Sequence, residues 1–158
     1  GNFTDIKTGF KDFLNFFDNK KIDALKNLCS NEIYNGCYAL GELYRNNESE
    51  NISKQDSDNL SFQTYKKALQ LGSTDAAVQL SFIYSKKGQR DDAIKHAKLA
   101  QENGLIDGFY AEANALLRKV FQGSKSCIPL LKFLSGATVD NPYYDDAVRL
   151  RKKKQCKG

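Results

Sequence analysis

Features that would point to a membrane protein or to a β-sheet are missing from this sequence. No run of about 18 or more apolar residues occurs in the 158-residue chain, so we expect no membrane span and no signal peptide within it. Alternating runs of β-branched residues between turns are also absent, which argues against a sheet. Hydrophobic residues still make up 41% of the chain, and this is enough to bury the core of one ordinary domain.

Histidine is nearly absent, which limits the chemistry available to the chain. The single histidine, His96, has one acidic neighbour at helical spacing, Asp92, and such a pair is most often a surface hydrogen bond. Cysteine pairs with the two-residue spacing of zinc sites are missing, and so are glycine-rich phosphate loops. We therefore predict a non-catalytic protein with no metal and no cofactor.

Positive charge is concentrated at one end of the chain. The net charge is +5, but the last ten residues hold six basic side chains and no acid, so the other 148 carry 18 basic against 19 acidic side chains. This distribution favours a solvated helix end, where cations also stabilise the helix dipole, and it does not favour nucleic acid as the main partner. The alternative is a basic tail, Arg149 to Lys157, that docks on an anionic membrane surface or on nucleic acid.

The four cysteines fall into two local pairs. Cys29 lies close to Cys37, and Cys127 and Cys156 both lie in the last third of the chain. Among the three pairings that four cysteines allow, the simplest is two bridges, 29 to 37 and 127 to 156. Such bridges persist only in an oxidising compartment, which predicts a periplasmic or secreted protein. Four reduced thiols in a cytosolic protein are the alternative.

Apolar residues recur at spacings of three and four almost throughout, which predicts an all-α fold. Residues 46–59 are rich in Asn, Ser, Asp and Glu and are predicted to form a solvated loop. Asn141 and Pro142 are typical of a helix start, and Pro129 is expected in the first turn of a short helix. The predicted helices cover about residues 2–17, 20–29, 33–45, 60–71, 74–87, 90–103, 106–121 and 128–134, with a last one reaching into the basic tail.

A repeat is the most informative pattern in the sequence. Gly72 and Gly104 are 32 residues apart, and a helix, a glycine turn and a second helix lie between them. Small residues are expected where two helices cross closely, and each hairpin leaves an apolar face that only the next hairpin can cover. Counted from Gly72, the positions at four, eight, nine and twelve residues are Ala76, Leu80, Ser81 and Tyr84; counted from Glu32, they are Gly36, Leu40, Gly41 and Tyr44.

These segments carry a family resemblance. Gly36 to Tyr44 (GCYALGELY), followed by Tyr65 to Gly72 (YKKALQLG), resembles the Sel1-like repeat, a relative of the tetratricopeptide repeat. Ala76 to Tyr84, with the segment up to Gly104, is similar to a second copy, and a degenerate third begins at Gly108. The resemblance implies a single α-solenoid domain of helix-turn-helix repeats. Its expected parts are N-terminal capping helices at 1–31, repeats at 32–122, and C-terminal helices with the basic tail at 123–158.

The resemblance also implies a function. In Sel1-like proteins the first helix of each repeat lines a concave groove, so the chain is expected to be a scaffold that binds a protein or peptide partner. Cysteines with seven residues between them across a repeat junction, as in the pair Cys29 and Cys37, look like those of the cysteine-rich Sel1-like proteins exported by ε-proteobacteria. A cell-wall or lactam-processing enzyme is the remaining alternative that the family suggests. The residues expected to face the groove are Tyr38, Glu42 and Arg45 in the first repeat, Val78, Phe82 and Lys86 in the second, and Tyr110, Asn114 and Arg118 in the third.

Overall fold

The structure is a computed structural model in which residues 19–46, 51–117 and 123–157 are described. These residues form eight α-helices and contain no β-strand, which confirms the all-α prediction. The helix predicted at 2–17 lies outside the described residues. The described part of α1 is residues 19–30, and the other helices are α2 (Tyr34–Arg45), α3 (Lys54–Gln70), α4 (Thr74–Lys86), α5 (Arg90–Glu102), α6 (Asp107–Leu117), α7 (Gly123–Gly136) and α8 (Tyr144–Lys153).

The chain divides into two compact units, Gly1–Ser73 and Thr74–Gly158. In the first unit, α2 packs against α3. In the second unit, α5 contacts both α4 and α6, and α4 also contacts α6 directly. Helix α7 packs on α6, and α8 packs on α7. The first helices of the two repeats predicted in this unit, α4 and α6, are therefore neighbours.

Five of the described helices, α1, α3, α4, α5 and α8, end in the same hydrogen-bonding arrangement. At the end of α3 the Gly72 N–H donates to the Leu69 carbonyl at 3.0 Å, and the Ser73 N–H donates to the Ala68 carbonyl at 2.9 Å. This is the Schellman motif, which requires a left-handed residue, and Gly72 has a φ of 112°. The same arrangement recurs at Gly88 and Gly104, and at the non-glycine residues Glu32 and Gln155, whose φ values are 62° and 55°.

Three helix starts differ from their predictions. Helix α3 begins at Lys54 within the predicted loop, because the Ser53 hydroxyl accepts the backbone N–H of Asp56 at 3.1 Å and so caps the helix. Helix α7 begins at Gly123, which places Pro129 inside the helix and not in its first turn. Helix α8 begins after the predicted Asn141–Pro142 start, at Tyr144.

Small residues allow the close helix contacts. A Cβ atom on Gly41 of α2 would lie 2.8 Å from the Tyr65 ring of α3, and one on Gly108 of α6 would lie 2.7 Å from the Ala97 carbonyl oxygen of α5. In α3, the buried Ser61 hydroxyl donates to the Gly41 carbonyl at 2.9 Å. Five alanines of α3, α4 and α5 are fully buried, namely Ala68, Ala76, Ala93, Ala97 and Ala100.

Both predicted disulfides are present. Cys29 at the end of α1 is bonded to Cys37 of α2, with Cα atoms 4.5 Å apart. Cys127 of α7 is bonded to Cys156, which follows α8, with Cα atoms 5.4 Å apart. Each bond therefore stays within one unit. None of the helices in the described part of the chain is long and apolar enough to cross a membrane.

Candidate functional site

The predicted site residues of the first unit form one connected group on α2. The Tyr38 hydroxyl donates to the Glu42 carboxylate at 2.9 Å, and that carboxylate lies 3.7 Å from the Arg45 guanidinium. The Tyr38 ring also packs against Tyr65 of α3, with centroids 5.7 Å apart. Spacings of three and four residues place these side chains on one helix face. The group presents a half-buried aromatic ring beside an exposed ion pair, which is a surface able to contact both apolar and polar groups of a ligand.

In the second unit the predicted residues have different environments. Val78 is only 3% exposed and is part of the core, whereas Lys86 is exposed and Asn114 is half-buried. Phe82 of α4 and Tyr110 of α6 are both half-buried and lie side by side, with ring centroids 6.0 Å apart. The structure thus brings Phe82 and Tyr110 together. Arg118 lies outside the described residues.

A tyrosine from the C-terminal part of the chain covers this aromatic pair. Tyr143, which directly precedes α8, stacks on Tyr110 with centroids 4.9 Å apart and ring planes 12° apart. Its centroid is 5.3 Å from that of Phe82. Tyr110 in turn packs against the buried Phe133 of α7, with centroids 5.5 Å apart. Four rings from four parts of the second unit therefore form one cluster.

Polar contacts fix the position of Tyr143. The Gln79 side-chain amide of α4 donates to the Tyr143 hydroxyl at 3.3 Å, and Gln79 is only 6% exposed. The side-chain carbonyl oxygen of Asn141 accepts a hydrogen bond from the backbone N–H of Tyr143 at 2.9 Å. The side-chain NH₂ group of Asn141 donates to the Asp107 carboxylate of α6 at 2.6 Å. Tyr143 is therefore held both through its side chain and through its backbone. We call Gln79, Phe82 and Tyr110 the α4–α6 face.

The environment of the cluster affects the ionisation of Tyr110. Burial raises the pKa of its phenol above the ordinary value of 10.0, and the charges of Asp146 and Tyr143 raise it further, while Arg149 acts in the opposite direction. The phenol is therefore neutral at physiological pH. A neutral phenol ring can stack on another tyrosine without burying a charge.

The structure gives the surroundings of His96, the position that the sequence analysis considered for catalysis. The His96 ring nitrogen Nδ1 lies 2.7 Å from the Asp92 backbone carbonyl oxygen, not beside its carboxylate, and the ring packs against Tyr84 with centroids 4.9 Å apart. Within the described ranges, no three His, Cys, Asp or Glu side chains are grouped closely enough to hold a metal ion.

The basic tail forms a separate surface. Arg151, Lys152 and Lys157 line a shallow, open depression together with Cys156, and all three cationic side chains are exposed. Arg149 is exposed but forms an ion pair with Asp146. The tail is therefore a cationic surface that can meet an anionic one.

Sequence analysis missed Gln79 and Tyr143 as members of the candidate site. Gln79 directly precedes Leu80 in a helix whose other buried residues are apolar or small, and an isolated glutamine among such residues is the signal that could have found it. Tyr143 is 33 residues from Tyr110 and 61 from Phe82, and spacing along the chain holds no information on such contacts.

Comparisons of the chain with protein-family models, with curated proteins and with solved structures found no match.

Proposed function

We propose that this chain is a Sel1-like, α-solenoid scaffold that binds a peptide segment of a protein partner and is not an enzyme. The observation that carries the proposal is the α4–α6 face, on which two neighbouring helices hold an aromatic side chain from another segment. Aromatic side chains seated between rigid helices are the usual main contributors to the binding energy of peptide recognition. The connected group on α2 supplies a second surface of similar character.

Three features support the solenoid part of the proposal. The same Schellman turn ends successive helices, short connections favour antiparallel neighbours, and a small residue follows four positions after the turns at 32, 72 and 104. Two of those small residues, Gly36 and Gly108, lie against the preceding helix. Repetition of one hairpin with one packing rule is the character of repeat proteins.

The two disulfides support a location in the periplasm or outside the cell. Neither bond is compatible with the reducing conditions of the cytosol for a resting protein. The intact mass before and after thiol alkylation of the native protein tests this: we expect no alkylation until a reductant is added. Alkylation of four thiols in the protein isolated from its own compartment would place it in a reducing one.

The function is tested by peptide selection on the oxidised, immobilised protein. A random-peptide display library should yield a related family of binders, and synthetic members of that family should bind in solution. Tyr38→Ala and Phe82→Ala should each be measured, and at least one should weaken binding about tenfold or more, as expected for an aromatic residue at the centre of a binding site. Lys95→Ala, on the exposed side of α5, is the matched control and should leave affinity unchanged. Selected peptides that bind all four proteins equally would contradict the proposed surfaces.

A second candidate function is favoured by the exposed cations after Val148. Five of them, Arg151, Lys152, Lys153, Lys154 and Lys157, form no ion pair with any described residue. Cations near an anionic membrane contribute about 1 kcal/mol each to binding. The triple variant Lys152→Gln, Lys153→Gln, Lys154→Gln should then lose binding to phosphatidylserine vesicles but retain the selected peptides. Equal sedimentation of both proteins with these vesicles would exclude the tail as a membrane contact.

A further inference from the structure

The connection between α7 and α8 contacts the α4–α6 face through Tyr143. Tyr143 packs against both Phe82 and Tyr110, and Asn141 holds the backbone of the segment in a turn. The Tyr144 N–H completes this turn by donating to the Asn141 carbonyl at 3.0 Å. Residues 141–144 therefore form a compact turn that presents the Tyr143 side chain to the α4–α6 face.

The chemistry of the contact distinguishes a tyrosine from other side chains. The α4–α6 face offers the Tyr110 ring for stacking and the Phe82 ring in a tilted orientation. Aromatic rings prefer such arrangements. Gln79 adds an amide donor for the phenol oxygen, and because Gln79 is almost fully buried, a ligand that lacks the hydroxyl would lose this hydrogen bond in a site with little water. A phenylalanine would keep the ring contacts and lose the hydrogen bond from Gln79.

The rest of α8 is only lightly attached to the unit. Ala147 is the one buried residue of that helix, and Leu150 is half-buried against the same core. At the far end, the bond between Cys127 and Cys156 ties the chain to α7. A segment that leaves the α4–α6 face gives up the ring contacts of Tyr143 and the side-chain hydrogen bonds of Asn141, while the disulfide keeps the chain end close.

We propose that the α4–α6 face is a recognition site for tyrosine, that Tyr143 occupies it within the chain, and that a partner peptide presenting a tyrosine from an Asn-x-Tyr turn takes its place. The inference rests on the proposed function, since it names the class of peptide that the scaffold binds. It also explains why the aromatic pair on the first helices is covered in the isolated chain. A partner can bind only while Tyr143 is away from the face. The apparent affinity for the partner is therefore the affinity of the vacant face multiplied by the fraction of time that the face is vacant.

The test uses the full-length oxidised chain and a fluorescent peptide with the sequence of residues Asp140 to Asp145. The Tyr143→Ala chain should bind this peptide, and the wild-type chain should bind it at least about tenfold more weakly, because its own tyrosine competes. Replacing the tyrosine that corresponds to Tyr143 by alanine in the peptide should abolish binding. The equivalent Tyr144→Ala peptide is the matched control and should bind with less than about a threefold change, and a Tyr143→Phe peptide should bind about 2- to 10-fold more weakly than the parent.

Circular dichroism and fluorescence polarisation together decide the outcome. A folded Tyr143→Ala chain that fails to bind the peptide, or that binds the Tyr143→Ala peptide equally well, would overturn the inference. If that chain does not fold, Asn141→Ala replaces it, since this change loosens the turn without removing a ring; it should bind the peptide more tightly than the wild type, and unchanged binding would again overturn the inference. Library peptides that respond to Tyr38→Ala but not to Phe82→Ala would leave the scaffold function standing and remove only this site.

Discussion

Tyr143 stacks on Tyr110 with ring planes 12° apart and centroids separated by 4.9 Å. This contact joins the segment before α8 to α6, and it places an internal tyrosine on residues that the family resemblance predicts to face a partner. The contact contributes to stability and to occupancy of the α4–α6 face at the same time. Its two effects can be separated by choosing which part of the tyrosine is removed.

The first prediction concerns the stability that Tyr143 provides. Tyr143→Ala removes two ring contacts at a half-buried position, and we expect the free energy of unfolding to fall by about 2 kcal/mol. Tyr143→Phe keeps the ring and loses the bond from Gln79, so its cost should be about 1 kcal/mol. Urea titrations of the oxidised proteins at neutral pH provide the measurement. Equal losses for both variants would show that the hydroxyl, and not the stacked ring, supplies the stability.

The second prediction follows from the raised pKa of Tyr110. Because the pKa is higher in the folded chain, the unfolded chain releases the proton first as the pH rises past the ordinary value of 10.0. The contribution of the neutral phenol to stability is therefore complete below that pH and is lost as the pH rises through the higher value of the folded protein.

The comparison that isolates this effect is Tyr110→Phe against the wild type. The difference between their free energies of unfolding should stay constant from about pH 7 to 9 and should then move against the wild type above about pH 10. Urea unfolding at each pH measures it, and absorbance at the phenolate wavelength reports the titration itself. A difference that stays constant across the whole range would contradict the raised pKa.

How much of the fold and of the candidate site could be predicted from the sequence depends on how far apart along the chain the interacting residues lie. Helix α2 was predicted from residue 33 and begins at Tyr34, and the predicted ends of α4 and α5 are each within one residue, because glycine turns and apolar spacing are local signals. The pairing of Cys29 with Cys37 was also predictable, since the two lie close in sequence across one turn.

Other features depend on contacts that no local pattern encodes. The start of α3 was missed because Ser53 lies within a polar stretch that looks like a loop, although its hydroxyl caps the helix. Phe82 and Tyr110 were selected from repeat spacing, but the sequence gives no sign that Tyr143 covers them. Burial of Val78 likewise follows from the helices packed around it, not from its position in the predicted repeat.

The third prediction concerns the close approach of α6 to α5. Gly108→Ala would place a Cβ atom 2.7 Å from the Ala97 carbonyl oxygen and 2.8 Å from the Gln101 backbone nitrogen, and backbone atoms of a helix cannot easily move away. We expect a loss of about 2 to 3 kcal/mol, even though alanine is the better helix former by about 1 kcal/mol.

The control for this change is Gly104→Ala. A Cβ atom on Gly104 would meet nothing within 4 Å, so only its φ of 82° opposes the substitution. That strain should cost about 1 kcal/mol. Thermal or urea unfolding distinguishes the two variants, and a Gly108→Ala protein as stable as the wild type would show that α5 and α6 are not in close contact there.

The last prediction compares the two disulfides. In the loop-entropy description, the bond between Cys127 and Cys156, with a sequence separation of 29, contributes about 3.5 kcal/mol, and the bond between Cys29 and Cys37, with a separation of 8, contributes about 2.5 kcal/mol. For each bond, a variant with both cysteines replaced by alanine is measured by urea unfolding. The variant that lacks the Cys127–Cys156 bond should lose more free energy of unfolding than the variant that lacks the Cys29–Cys37 bond.

The two bonds should differ more sharply in their effect on peptide binding. Loss of the Cys127–Cys156 bond frees the end of α8, so Tyr143 should leave the α4–α6 face more often and the affinity for the Asp140–Asp145 peptide should rise. Loss of the Cys29–Cys37 bond, which lies in the other unit, should lower stability and leave this affinity unchanged. Fluorescence polarisation with the folded variants makes the comparison. An equal rise in affinity for both variants would mean that general loosening, and not release of α8, exposes the face.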